Sequence, residues 1–321
     1  MTLAVRIAGV VKRFGNHTAV DDLSFEVPTG VIYGVLGPNG AGKSTTLRMM
    51  NDIIAPDAGA IELFGALPPG GAAAQRIGFL PEERGLYPKM PVGEMIAFFG
   101  ELRGLTAADA RARARAWLER LGLGQWEKNK VQDLSKGMQQ KVQFASALIH
   151  EPELVILDEP WSGLDPINAD VLREVVHELR DAGKTVLFST HQMEQAEKIC
   201  EQICIIARGK KVLDGGLAAI KRAAAEEGRV VLGFRDEAAA QAAAPILADA
   251  ALVLPPPVDH ALDREVQLAA GVEAQRLLTA LVGAGVALRR FDVVTPSLHD
   301  IFVERVGREQ AEVAARHDAA R

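Results

Sequence analysis

The chain has 321 residues, of which 48% are hydrophobic and 24% charged, and its formal net charge is −6. This is globular usage over the length of about two domains, so a largely disordered chain is excluded. The acidic balance predicts no nucleic-acid partner, no apolar run is long enough to span a membrane, and two cysteines are too few for a disulfide framework. Residues 1–10 lack the pattern of a signal peptide, which predicts a cytoplasmic protein.

The first elements along the chain are short β-rich segments. From Leu3 to Val27 they alternate with turn residues, which predicts an antiparallel β flap that forms one wall of a ligand pocket. An apolar run, Val31 to Leu36, then predicts a buried strand.

A glycine-rich loop follows this strand and fits the phosphate-binding pattern G-x-x-x-x-G-K-[ST], with a helix predicted from Thr45 to Ile53. The glycines let backbone N–H groups turn toward phosphates, Lys43 brings a charge to the β- and γ-phosphate oxygens, and Ser44 is placed to ligate Mg²⁺. The sequence therefore predicts a nucleoside triphosphate site. Its loop residues are Gly37, Pro38, Asn39, Gly40, Ala41, Gly42, Lys43, Ser44 and Thr45.

The middle of the chain, about 88–150, is predicted to be a helical lobe. Helices are predicted at 91–103 and 106–121, and Thr106 with Asp109 forms a capping-box pattern at the start of the second. Four arginines in that helix are spread around it, which favours a solvated surface over a nucleic-acid site.

Two adjacent carboxylates follow the next apolar strand, 154–157. Asp158 and Glu159 stand at the strand end where ligands of open α/β sheets gather. Asp158 is the candidate Mg²⁺ ligand, and Glu159 is the candidate base that orients and deprotonates an attacking water. A solvated acidic strand end is the alternative, which the phosphate-binding loop disfavours. A helix from Pro166 and a strand at 185–189 complete the alternation that predicts a parallel α/β sheet.

The predicted catalytic module covers residues 1–216 and ends after a hairpin at 202–213. Residues 217–306 predict a small α+β domain whose strands are interrupted by a break at Pro255 to Pro257. This part of the sequence shows no glycine loop, metal cluster or nucleophile arrangement, so a structural, regulatory or interaction role is expected. Residues 307–321 predict a flexible tail.

Five motifs, in this order and at these spacings, resemble those of the ABC ATPases. Two are the phosphate-binding loop and the pair Asp158 and Glu159. Leu-Ser-Lys-Gly-Met-Gln-Gln at 134–140 resembles the family's signature motif, and Pro-Trp-Ser-Gly-Leu-Asp-Pro at 160–166 resembles the segment through its D-loop. His191 stands where the switch histidine falls. The resemblance covers residues 1 to about 215 and implies an α/β fold: a P-loop ATPase with a RecA-like parallel core, an antiparallel flap and a helical lobe, here with an added α+β domain.

The resemblance also implies ATP bound between two subunits of a head-to-tail dimer. Ser135 would supply a hydroxyl at a helix N-terminus, and Gly137 would permit close backbone approach to the γ-phosphate held by the other subunit. Asp165 would communicate across the interface, His191 would contact the γ-phosphate, and Phe14 would stack on adenine, although Phe14 taken alone would be a core residue. The implied ATP contacts outside the loop are Phe14, Glu82, Ser135, Lys136, Gly137, Met138 and Asp165.

Three positions depart from the family pattern. Lys136 stands where the signature usually has Gly, and Met138 where it has Gln, so contacts to the second subunit are altered. Glu82 replaces the usual Gln of the Q-loop. A carboxylate there could still reach Mg²⁺ but adds negative charge beside Asp158 and Glu159. The implied metal ligands are Ser44, Glu82 and Asp158.

These departures, and more weakly the segment 296–302, resemble a subgroup of bacterial exporter ATPases. The resemblance implies an ATP-hydrolysing subunit that pairs with a second ATPase subunit, either its own copy or a related chain. It would lie in the cytoplasm, on the inner face of the membrane, beneath a separately encoded permease. The cleft between residues 82–87 and the helical lobe would take a helix of that permease. A soluble ABC ATPase that remodels ribosomes or DNA is the alternative, which the lack of a second phosphate loop disfavours. A third possibility makes the C-terminal domain a ligand-sensing regulator or a dimer clamp.

Overall fold

A computed structural model describes residues 2–83, 85–226, 228–260 and 262–307. The chain divides into two compact units, with the division between Gly216 and Leu217. Within the described ranges, none of the helices combines the length and apolar character that crossing a membrane requires.

The strands are β1 (Leu3–Phe14), β2 (His17–Pro28), β3 (Ile32–Leu36), β4 (Ala58–Leu63), β5 (Ile77–Leu80), β6 (Leu154–Asp158), β7 (Thr185–Thr190), β8 (Gln202–Ala207), β9 (Lys210–Gly216), β10 (Arg229–Phe234), β11 (Val253–His260), β12 (Asp263–Leu268) and β13 (Leu288–Val293). The helices are α1 (Lys43–Met50), α2 (Gly71–Ala74), α3 (Val92–Leu102), α4 (Ala107–Arg120), α5 (Lys136–Leu148), α6 (Pro166–Asp181), α7 (Met193–Ile199), α8 (Leu217–Glu226), α9 (Glu237–Leu247) and α10 (Ala274–Gly283).

The central sheet of the first unit has the strand order β5-β6-β7-β3-β8-β9. Its strands are parallel except β9, which returns antiparallel to β8 through a tight hairpin. Every residue of β3, β6 and β7 is buried, as expected for apolar strands covered on both faces. The predicted α/β class is confirmed. The carboxyl ends of β3, β6 and β7 come together at one edge, and the candidate site residues follow directly after them.

The predicted flap is a three-stranded antiparallel sheet in the order β2-β1-β4. Sequence analysis placed only β1 and β2 there, because β4 follows the phosphate loop in the chain and pairs with β1 over a long sequence separation. In the helical region, the Thr106 hydroxyl caps α4 by accepting from the Asp109 N–H at 3.2 Å. Three of the arginines of α4 pair with acids outside the helix: Arg113 with Glu151 at 3.0 Å, Arg115 with Glu127 at 2.9 Å, and Arg120 with Glu178.

The second unit contains an antiparallel sheet in the order β11-β12-β10-β13, with α9 and α10 packed on a core that includes Phe234 and Leu277. The predicted strand break at Pro255 to Pro257 is wrong, because β11 continues through these residues. Proline is tolerated there since β11 is an edge strand and its pairing with β12 shifts register between Leu254 and Val258. The predicted tail, 307–321, lies outside the described residues except for Gly307.

Candidate nucleotide site

The phosphate-binding loop connects the buried strand β3 to α1. Gly37 and Gly42 have φ values of 150° and 104°, which side-chain-bearing residues rarely adopt. A Cβ on Gly37 would overlap the carbonyl oxygen of Ile206, and a Cβ on Gly42 would overlap that of Ala19. The helix begins at Lys43 and ends at Met50, so the predicted start at Thr45 was two residues late. Because Gly42 is the N-cap of this helix, the N–H groups of the first helical turn come directly after the loop residues.

Lys43 is buried, with 6% of its surface exposed, inside this loop. Its Nζ donates to the carbonyl oxygens of Gly37 at 2.8 Å and Pro38 at 3.2 Å, and it lies 3.7 Å from Oε1 of Glu159. Burial lowers the pKa of Lys43, and the nearby carboxylates, Glu159 first, oppose that shift. The ammonium group is therefore held at the mouth of the loop by oxygen atoms.

Asp158 is buried at the end of β6 and connects that strand to the loop. Its Oδ1 accepts from the Ser44 hydroxyl at 3.1 Å and also from the Ser189 hydroxyl at the end of β7. No group of three or more His, Cys, Asp or Glu side chains suited to a metal occurs in the described part of the chain. A carboxylate and a hydroxyl still fit Mg²⁺, which prefers oxygen ligands and usually takes one or two from protein, the rest from phosphates and water.

Glu159 is held in place by the end of β7. Its Oε1 accepts from the backbone N–H of His191 at 3.0 Å and from His191 Nδ1 at 2.8 Å, and its Oε2 accepts from the Thr190 hydroxyl at 3.0 Å. Because a carboxylate only accepts, Nδ1 of His191 carries the proton. Only 7% of Glu159 is exposed, so these contacts leave its carboxylate little freedom.

A cavity of about 450 Å³ brings together eleven of the residues assigned from sequence. They are Phe14, Asn39, Gly40, Ala41, Gly42, Lys43, Ser44, Thr45, Glu82, Glu159 and His191. Phe14 is 51% exposed, so it is no core residue. His17, Ala19 and Ser162 also line the cavity and were missed by sequence reasoning. His17 could have been predicted from its position, because it lies in the same β turn as Phe14.

The signature residues lie elsewhere: Ser135, Lys136, Gly137 and Met138 are not among the residues that line this cavity, and neither is Asp165. The Ser135 hydroxyl caps α5 by accepting from the Met138 N–H at 3.3 Å. Asp165 caps α6, and its hydrogen bonds from Asn168 hold the pKa of that carboxyl below its usual range. A Cβ on Gly137 would meet only a leucine methyl at 3.5 Å, so the fold of this chain does not require glycine there.

Comparisons with known proteins agree with this geometry. A family model described as ABC transporter matches residues 20–162, and one described as ATP-binding protein DrrA1-3-like, C-terminal domain matches residues 215–306. An uncharacterized ABC transporter ATP-binding protein of Bacillus subtilis, YhaQ, is 41% identical over 298 residues, which are 93% of this chain and 97% of that protein. The chain belongs to the ABC transporter ATP-binding proteins.

Other ABC transporter ATP-binding proteins are also similar to this chain in sequence or in structure. The Nod factor export ATP-binding protein I of Ralstonia nicotianae is 42% identical over 216 residues, 67% of each chain. A solved structure of an ATP-binding subunit of an ABC transporter is 29% identical, covers 68% of this chain and 92% of its own, and superimposes with a TM-score of 0.63. As a member of this family, the chain binds and hydrolyses ATP and works with a membrane permease.

Proposed function

We propose that two copies of this chain bind ATP at a shared interface and drive export through a separate membrane subunit. The dimer is supported by one observation: the signature segment, Ser135 to Met138, does not line the cavity that the phosphate loop lines. Gly137 supports it, because the chain's own packing gives no reason for glycine at this position. Close approach of another molecule is such a reason.

Within each site, we assign the phosphates to the loop N–H groups and to Lys43, and adenine to Phe14. Ser44 and Asp158 would hold Mg²⁺, with Glu82 beside them. Mg²⁺ held by these residues would supply positive charge that neutralises the negative charge developing on the phosphates. Glu159 would accept the proton of the attacking water, since it is the carboxylate held at the loop mouth, and His191 would position it.

The export direction and the partner rest on different observations. The relative from Ralstonia nicotianae is named for Nod factor export, which supports an exporter of some cargo. Tyr87 and Leu102, on the segment after Glu82 and on α3, are 56% and 59% exposed. We infer that this apolar edge takes a helix of the permease, so that the chain lies on the inner face of the membrane. A ribosome- or DNA-remodelling role finds no such support.

We assign the ATPase to residues 1–216, with the helical lobe at about 88–150, and an accessory role to residues 217–306. The accessory unit would regulate the ATPase or clamp the dimer. Its described residues include no group of three or more His, Cys, Asp or Glu side chains suited to a metal. Deleting 217–321 should then change the ATPase rate or the lifetime of the dimer. Unchanged behaviour in both would remove this role.

The dimer is tested by light scattering on the Glu159→Gln chain, which should be monomeric alone and dimeric with ATP and Mg²⁺. A second substitution, Gly137→Arg, should restore the monomer while ATP binding persists. Gly283→Arg is the matched control, because Gly283 is a helical glycine with open space around it. A Glu159→Gln chain that binds ATP and stays monomeric contradicts the proposal.

A further inference from the structure

The sheet of the second unit has two edges, and their sequences differ. In the order β11-β12-β10-β13, both β11 and β13 pair with only one neighbour among the described strands. β11 carries three prolines, which lack the N–H that pairing needs, so this edge is protected from a further strand. β13 contains neither proline nor glycine. It therefore keeps the backbone donors that a further strand would use.

The backbone of β13 alternates between groups that bond to β10 and groups that face away from it. The N–H of Val294 donates to the carbonyl oxygen of the first residue of β10 at 2.9 Å. Because bonded and non-bonded pairs alternate in an antiparallel ladder, Asp292 and Arg290 also bond to β10. The N–H and C=O groups of Phe291 and Val293 consequently point outward, where a further strand would lie.

The charges of β13 are arranged symmetrically about Phe291. Arg290 and Asp292 flank it in the strand, lie on one face, and are both exposed, with Nε of Arg290 2.5 Å from Oδ2 of Asp292. Charged side chains on an edge strand usually prevent pairing with another chain. These two have opposite signs and the same spacing from Phe291. The strand is therefore complementary to a reversed copy of itself.

Opposite charges select one register for such a pair. When two β13 strands run antiparallel with Phe291 opposite Phe291, Arg290 of each lies opposite Asp292 of the other, in a non-bonded pair where side chains are closest. The outward groups of Phe291 then form the central hydrogen bonds. Registers centred on Arg290 or on Asp292 would place like charges opposite each other, which is unfavourable.

We propose that β13 pairs with β13 of a second copy of this chain, antiparallel and centred on Phe291, so that the two accessory units share one continuous sheet. The proposal rests on the dimer given above and assigns its clamp to this edge. Val293 is 54% exposed and adds apolar surface that the second strand would cover. The charges specify a second copy as the occupant, because a two-fold interface requires a surface that is complementary to itself.

The pairing is tested by the lifetime of the ATP-bound dimer, measured as exchange between donor- and acceptor-labelled Glu159→Gln chains. In that background, Arg290→Asp makes both charges of the edge negative, and Asp292→Arg makes both positive. Either change replaces two attractive pairs by two repulsive pairs and should shorten the lifetime roughly two- to thirtyfold. Arg276→Asp is the control and should keep the parental lifetime, because Arg276 is exposed on α10, outside the edge.

Two further samples separate the contact from folding. An equimolar mixture of the two single variants should form mixed dimers with the parental lifetime, because a negative edge then faces a positive one. The double substitution Arg290→Asp/Asp292→Arg should also restore the lifetime, since it exchanges the two charges. Mixing leaves the fold of each chain unaltered, so recovery in the mixture reports on the contact itself. Lifetimes that are unchanged in the single variants, or that mixing does not restore, overturn the proposal.

Failure of the ATP-dependent dimer would be a different result. If the Glu159→Gln chain stays monomeric with ATP and Mg²⁺, the edge is tested without nucleotide, by sedimentation of the unaltered chain at roughly 1 mM, where a contact with a Kd of that order is populated. A dimer that Arg290→Asp abolishes would support the pairing. A monomer would overturn it and leave this edge to another occupant, such as the membrane subunit.

Discussion

His191 and Glu159 form a paired unit at the edge of the sheet: Nδ1 of His191 lies 2.8 Å from Oε1 of Glu159. Glu159 has φ 48°, a left-handed conformation uncommon for a residue with a side chain. That conformation turns the carboxylate from the end of β6 toward the end of β7. Strained backbone of this kind persists where surrounding contacts hold it, and it concentrates at functional sites.

Replacing the Glu159 carboxylate by an amide should stop hydrolysis and leave ATP binding. Glu159→Gln keeps the shape of the side chain but cannot take a proton from water, so phosphate release should fall at least about 100-fold. Glu174→Gln, at an exposed position of α6, is the control and should keep the parental rate. Parental hydrolysis in the Glu159→Gln chain would show that another group is the base.

Alanine at Gly137 should stabilise the chain and still reduce its activity. Gly137 is the second residue of α5 and has room for a Cβ, so Gly137→Ala should raise the free energy of unfolding, by at most about 1 kcal/mol. ATP hydrolysis should fall because the second subunit approaches this backbone. Gly283→Ala in α10 should give the stability gain alone. Urea unfolding and phosphate release measure the two effects, and full activity in Gly137→Ala would argue against close approach.

Alanine at Gly42 should weaken nucleotide binding through steric overlap as well as backbone strain. Gly42→Ala must place a Cβ against the carbonyl oxygen of Ala19 while the backbone keeps φ 104°. The free energy of this loop conformation should rise by more than about 1 kcal/mol. Gly104→Ala isolates the strain, because Gly104 has φ 90° and nothing within 4 Å of its Cβ position. Titration with a fluorescent ATP analogue should show weaker binding only for Gly42→Ala. Equal affinity in both variants would contradict the steric argument.

The half-buried imidazole of His150 should make stability depend on pH. Its pKa is lowered in the folded chain, so the unfolded chain binds the proton more readily. The contribution of neutral His150 is present above the unfolded pKa of about 6.5 and is lost as pH falls toward the folded pKa. Urea unfolding at several pH values below 7 should show a shallower pH dependence for His150→Asn than for the parent. The exposed His17 provides the control, His17→Asn, and the same slope in both variants would contradict the prediction.

The local sequence determined the chemistry of the site, because each motif is a short stretch whose own backbone conformation places its functional groups. The loop from Gly37 to Ser44 needs only its glycines and the following helix to present N–H groups, and Asp158 with Glu159 needs only the end of an apolar strand. The parallel α/β sheet was predictable for the same reason, since buried strands alternate with helices along the chain.

Tertiary structure decided how those pieces meet. The hydrogen bonds from His191 and Thr190 to Glu159 join the ends of two strands that are adjacent in the sheet and 31 or 32 positions apart in the chain. No local pattern specifies such a contact, because it depends on strand order. The pairing of β4 with β1 was missed because these strands are distant in sequence. The continuation of β11 through three prolines was missed because only the position of a strand at the edge of its sheet makes proline acceptable there.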